Sequence, residues 1–155
     1  MRVRVIALGH RVPAWVAAGW DDYARRLPRE WNLELLELKA ESRDRGKPVA
    51  QLLAAEAERI RVACRGARLV ALDERGRSWT TRALADALDR WRSDAEDIAF
   101  VIGSADGLDP ALRAEAAAVV ALSALTLPHA LVRILLVEQL YRASALLAGH
   151  PYHRE

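Results

Sequence analysis

Residues 98–110 read IAFVIGSADGLDP, and this stretch sets the fold class. Ile98–Ile102 is an unbroken apolar run of strand length. A turn bounded by glycines, Gly103 to Gly107, follows it, and then Asp109-Pro110, an N-cap residue and the favoured first helical proline. A strand without polar alternation is covered on both faces, which is the habit of parallel sheets flanked by helices. The order strand, turn, helix continues in both directions from here.

Further strands are predicted at 2–8 (RVRVIAL), 33–38 (LELLEL), 68–72 (RLVAL) and 119–122 (VVAL). Between them lie helical patterns. One opens at Pro13 and carries Val16, Trp20, Tyr23 and Leu27 before Pro28 stops it. Another opens at Pro48 and carries Val49, Leu52, Leu53, Ala57 and Ile60. Thr80 or Thr81 caps a third, with Leu84, Leu88 and Trp91 inward, and a last helix runs from about 130 to 148. The alternation predicts an α/β fold, a parallel sheet covered on both faces, as one domain over 1–155. Ligands of such sheets bind in loops at the carboxyl ends of strands. Three loops qualify: DERGRSW (73–79), GSADGLD (103–109) and SALTLPH (123–129). LSALTLPH is apolar and hydroxylic, so either its backbone is buried against a neighbour or the strand continues through Leu127.

With 52% hydrophobic residues in 155, the chain can bury about 70% of its unfolded surface. It carries 23 basic and 21 acidic side chains, and 21 of the basic ones are arginine. Residues 1–68 hold 14 basic and 9 acidic groups, or +5, against 9 and 12, or −3, in the remainder. A basic half suits an anionic partner such as RNA. Cys64 is a lone cysteine, so neither a disulfide framework nor a cysteine zinc cluster is expected, and a reducing cytosol is the expected home. The start, MRVRVIALG, lacks the long apolar run of a signal peptide. The turn at 103–107 lacks the GK[ST] of phosphate loops and the GxGxxG of dinucleotide folds, and neither HExxH nor GxSxG occurs.

Polar groups concentrate near the C-terminus. Glu138 and Arg142 stand four apart, as do His129 and Arg133, and the chain ends in HPYHRE. An ordinary helix pair with a solvated end is one reading. A stacking, titratable and phosphate-binding group in consecutive positions is the other.

The motifs PAWVAAGWDDYARRLP (13–28), VALDERG around Leu72, IGSADG, LSALTLPHALVR and EQLYRA followed by HPYHRE resemble the SPOUT superfamily. Within it they are similar to the family of methyltransferases acting on N3 of a pseudouridine in large-subunit (23S) ribosomal RNA, and the likeness covers essentially the whole chain. One departure is the turn, commonly GGPEG in that family and Gly103-Ser104-Ala105-Asp106-Gly107 here. The resemblance implies a C-terminal deep trefoil knot, S-adenosylmethionine as methyl donor, no metal, and a homodimer in which one subunit's tail completes the other's site. It implies donor contacts at Leu72, Gly103, Leu122, Ser123, Ala124, Leu125, Thr126 and Leu127.

Methylating an imino nitrogen between two carbonyls requires a departing proton and support for charge on the oxygens. His153 or Glu138 is the expected proton acceptor, Arg142 and Arg154 the carbonyl or phosphate ligands, and Tyr152 a stacking platform. His129 is expected to support the site or face RNA, and Arg25, Arg26, Arg29, Arg43 and Arg45 to form an RNA-facing side. The expected partners are a second copy and the ribosome, with no membrane and no DNA, in the cytoplasm. Competing readings are a non-catalytic ribosome-associated RNA-binding module and a SPOUT enzyme for another RNA base.

Overall fold

The computed structural model describes residues 1–9 and 11–153. Arg154 lies outside the described residues, and His153 is described by its backbone. Among the described residues five strands alternate with five helices. These are β1 (Val3–Gly9), α1 (Ala14–Ala24), β2 (Glu34–Lys39), α2 (Val49–Ala63), β3 (Arg68–Ser78), α3 (Thr81–Ser93), β4 (Ile98–Ile102), α4 (Pro110–Glu115), β5 (Ala118–Ala121) and α5 (His129–Leu147). The strands pair in parallel in the order β2-β1-β4-β3-β5.

Side-chain alternation sorts the helices into two layers. Val3, Val5, Val70 and Phe100 point to one face and pack with Trp20 of α1, Leu88 and Trp91 of α3, and Leu136 and Leu140 of α5. Ile6, Leu8, Ala71 and Val101 point to the other and pack with Ala57 and Ile60 of α2 and Leu112 of α4. The central strand β4 is buried at every residue, as its unbroken apolar run predicts. Arg4, the polar interruption of β1, donates to the Arg65 carbonyl at 3.0 Å and so satisfies the chain leaving α2.

The third strand departs from expectation. It runs to Ser78 rather than ending at Leu72, so the predicted loop 73–79 is mostly strand. Leu72 and then Arg77 pair with Val120, and Asp73, Glu74, Arg75 and Gly76 bulge out between them. Gly76 permits this, because a Cβ there would lie 2.6 Å from the Val119 carbonyl. At the other edge β5 stops at Ala121, which excludes a strand continuing through Leu127.

Helix α5 packs against both α1 and α3. Arg133, 1% exposed, pairs with Glu37 of β2 at 2.9 Å rather than with the neighbouring turn of its own helix. The amides of Gly149 and His150 bond back to Leu146 and Ala145 and close the helix, after which Pro151–His153 form a short turn against it. The helix begins beside the end of β4, so the chain leaving the edge strand β5 crosses the carboxyl ends of β3 and β4 to reach it.

Candidate active site

That crossing walls a cavity of about 340 Å³ at the carboxyl ends of β3, β4 and β5, within the ~300–1,000 Å³ of small-molecule sites. Of the residues expected to contact the donor, Leu72, Gly103, Leu122, Ser123, Leu125, Thr126 and Leu127 line it, and Ala124 does not. Gly103 fits where no other residue would: a Cβ there would lie 2.6 Å from the Gly107 carbonyl oxygen. The loop after β5 forms the outer wall. Its turn is held by Ser123, whose hydroxyl accepts the Leu125 amide at 2.9 Å. Within the single chain residues 124–126 are exposed, Leu125 at 74%, while 122, 123 and 127 are half-buried.

The cavity also has polar walls, from two of the loops that the sequence singles out but to whose side chains it gives no role. Asp73 of the bulge lines it, receiving the Arg75 amide at 2.9 Å and the Arg113 guanidinium at 3.2 Å. Ser104 and Asp106 line it from the turn after β4. His129 stands at its floor, and its Nδ1–H donates to the Gly103 carbonyl at 2.8 Å. That bond leaves Nε2 as a lone pair, buried and without a hydrogen-bond partner among the described residues. Burial pushes the imidazole below its ordinary pKa, with Arg133 acting in the same direction, so the ring is neutral at pH 7.

The predicted catalytic groups of the tail form a second cluster. Arg142 gives Nε and Nη2 to Glu138 Oε1 at 2.9 and 2.6 Å, and its guanidinium lies 4.9 Å from the Tyr152 ring centre. Tyr152 packs on Tyr141 with ring centres 4.5 Å apart and gives its hydroxyl to Glu138 at 3.3 Å. Burial, then the nearby Tyr23, pushes the Tyr152 phenol up to about 12, so it stays protonated and acts as a donor. The Glu138 pair raises the Arg142 pKa further, so that guanidinium is a fixed cation. Gln139 occupies the other Glu138 oxygen at 2.7 Å.

The structure brings Glu138, Arg142 and Tyr152 together but does not bring them to the cavity of the same chain. Val132 is the last residue of α5 to line the cavity, and Glu138 and Arg142 lie 6 and 10 residues beyond it, about 9 and 15 Å at 1.5 Å per residue. The arginines expected on one RNA-facing side divide the same way. Arg26 stacks on Tyr23 and Tyr141 beside the tail, with Arg25 and Arg29 nearby in sequence, whereas Arg43 reaches the cavity turn. Arg43 is exposed and bonds to Glu56, Ser104 and Asp106.

A family model described as "Predicted SPOUT methyltransferase" matches residues 1–153. The chain is 62% identical to the ribosomal RNA large subunit methyltransferase H of Nitrosospira multiformis and 53% identical to that of Paraburkholderia xenovorans, over 99% of each chain in both cases. The crystal structure of a methylase family protein from Neisseria gonorrhoeae superposes with a TM-score of 0.57 at 13% identity, covering 90% of this chain and 81% of that one, a likeness of fold. The match along the whole length and the fold that carries it lead to one conclusion: the chain belongs to the SPOUT methyltransferase family.

Proposed function

We propose that this enzyme methylates N3 of a pseudouridine in 23S ribosomal RNA of the assembled ribosome, taking the methyl group from S-adenosylmethionine, as a cytoplasmic homodimer. The observation that carries the reading is the cavity at the carboxyl ends of β3, β4 and β5, walled by Gly103 and the loop 122–127, in a chain whose relatives at 62% and 53% identity are named for large-subunit rRNA methylation. No helix among the described residues is long and apolar enough to cross a membrane, and no cluster of metal-ligating side chains occurs among them.

The cavity fits the donor in chemistry as well as size. Leu72, Leu122 and Leu127 present apolar surface for a purine, and the 103–107 turn brings backbone groups to the wall. When bound, S-adenosylmethionine supplies a methyl already activated on a sulfonium. The chain's own task is then alignment and charge: carbon–sulfur cleavage and carbon–nitrogen formation proceed together, the N3 proton leaves, and negative charge on the flanking carbonyl oxygens needs a donor. Arg142 provides a fixed cation for those oxygens, with Glu138 orienting it, and Tyr152 offers a ring and a hydroxyl donor. His153 is the group assigned to receive the proton, and Arg154 to hold carbonyl or phosphate oxygen. None of Glu138, Arg142 and Tyr152 lines the cavity of its own chain, which supports a working site that takes its cavity from one subunit and its tail from the other. The same reading gives one SPOUT domain over 1–155 with a C-terminal trefoil knot, to which the crossing between β5 and α5 lends support.

The test is methyl transfer from labelled S-adenosylmethionine to free 23S rRNA, isolated large subunits and whole ribosomes, with identification of the modified nucleoside. Label in N3-methylpseudouridine on ribosomes is expected. Label on a different base supports a SPOUT enzyme of another specificity and contradicts the proposal. Ribosome binding without S-adenosylmethionine binding would point to a non-catalytic module.

A further inference from the structure

Glu56 of α2 is 2% exposed, in a place where a carboxylate is costly unless fully hydrogen-bonded. Three segments of the chain meet on it. Oε1 accepts the Glu41 amide at 2.9 Å and the Arg43 guanidinium, both from the chain between β2 and α2. Oε2 accepts the Ser104 hydroxyl at 2.9 Å, from the turn after β4. Arg43 closes the ring, giving Nη2 to the same Ser104 hydroxyl at 2.9 Å and Nε to Asp106 at 3.1 Å. Ser104 and Asp106 line the cavity, whereas Glu56 and Arg43 stand behind them.

We propose that Glu56, acting through Arg43 and Ser104, is a positioning residue that holds the 103–107 turn in its donor-binding form before the donor arrives. The proposal rests on the reading of the cavity as the S-adenosylmethionine site. The turn contributes small residues and few side chains that could pack, so its shape comes from the steric fit of Gly103 inside and this ionic clamp outside. A turn fixed in advance spares binding the cost of ordering it. Arg43 is therefore committed to the turn, and its charge is neutralised by Glu56 and Asp106.

The experiment compares unaltered full-length protein with Glu56→Gln, which keeps the shape and loses the charge, and Ser104→Ala, which removes one hydroxyl at a partly exposed site. Calorimetry gives the Kd of S-adenosylmethionine, amide hydrogen exchange reports the 104–107 turn, and steady-state rates give separate KM values for donor and ribosomes. Loss of a charged hydrogen bond predicts a Kd raised about tenfold in Glu56→Gln and less in Ser104→Ala. Both variants are expected to show faster exchange in the turn, a higher donor KM and an unchanged ribosome KM. A thermal midpoint that falls while Kd and turn exchange stay within about twofold makes Glu56 merely structural and overturns the proposal. If Glu56→Gln does not fold, Ser104→Ala decides on the same readouts. Unaltered protein that binds no S-adenosylmethionine overturns the cavity reading and the clamp together, whereas binding that both variants share unchanged overturns the clamp alone.

Discussion

His129 connects the energetics of the fold to the cavity through one proton. Its folded pKa is lowered by burial from the ordinary 6.5, so below that value the unfolded chain takes up a proton that the folded one refuses. The stability this ring contributes is full above about 6.5 and is lost as pH falls toward the folded pKa. The thermal midpoint should therefore drop as pH falls below about 6.5, and His129→Gln should flatten that part of the curve. An unchanged slope in the variant would show that the ring is not held neutral. Gly76 makes a steric claim of the same scale. Because a Cβ there meets the backbone of β5, which cannot rotate away as a side chain could, Gly76→Ala should cost about 2 kcal/mol, or roughly 4–8 °C in thermal midpoint. A loss below a degree would mean that the two strands can part without cost.

At the scale of elements, the chain between β2 and α2 divides its charges by role. Arg43 is bonded to Glu56 and the turn, while Lys39, Arg45 and Lys47, exposed as Arg43 is, line a second hollow of about 210 Å³ next to it. Replacing Arg45 and Lys47 by alanine should weaken ribosome binding and lower its dependence on log salt by about one to two, with donor affinity unchanged. Unaltered salt dependence would place the RNA elsewhere. The strands were legible because β1, β4 and the first half of β3 are apolar runs that only a doubly covered sheet accommodates. The continuation of β3 was not, since Glu74, Arg75 and Arg77 read as a surface loop and pair only after a bulge that local pattern does not announce. Glu56 left a signal that went unread: it falls at the helical spacing of Leu52, Leu53, Ala57 and Ile60, an acid on the apolar stripe of α2. The cavity residues were legible through the family likeness of LSALTLPH and the turn, whereas Asp73, Ser104 and Asp106 became visible as walls once the strand ends were in place.

For the whole molecule, one long helix separates the two halves of the chemistry. The cavity lies at one end of α5 and the Glu138, Arg142 and Tyr152 cluster toward the other, a separation set by 1.5 Å per residue and by the closing of the helix only at Leu147. None of the three lines the cavity of its own chain, and the proposed working site is shared between two copies. Co-expression of a cavity variant, Leu127→Glu, with a tail variant, Arg142→Ala, gives mixed dimers that test this sharing directly. In such a dimer one site combines an unaltered cavity with an unaltered tail, although each parent homodimer has none. The measurement is methyl transfer to ribosomes by the differently tagged, co-purified mixture. Recovery of about half of unaltered activity is expected for mixed dimers selected through both tags, or about a quarter for an unselected random mixture, and mixed dimers as inactive as either parent would contradict the shared site.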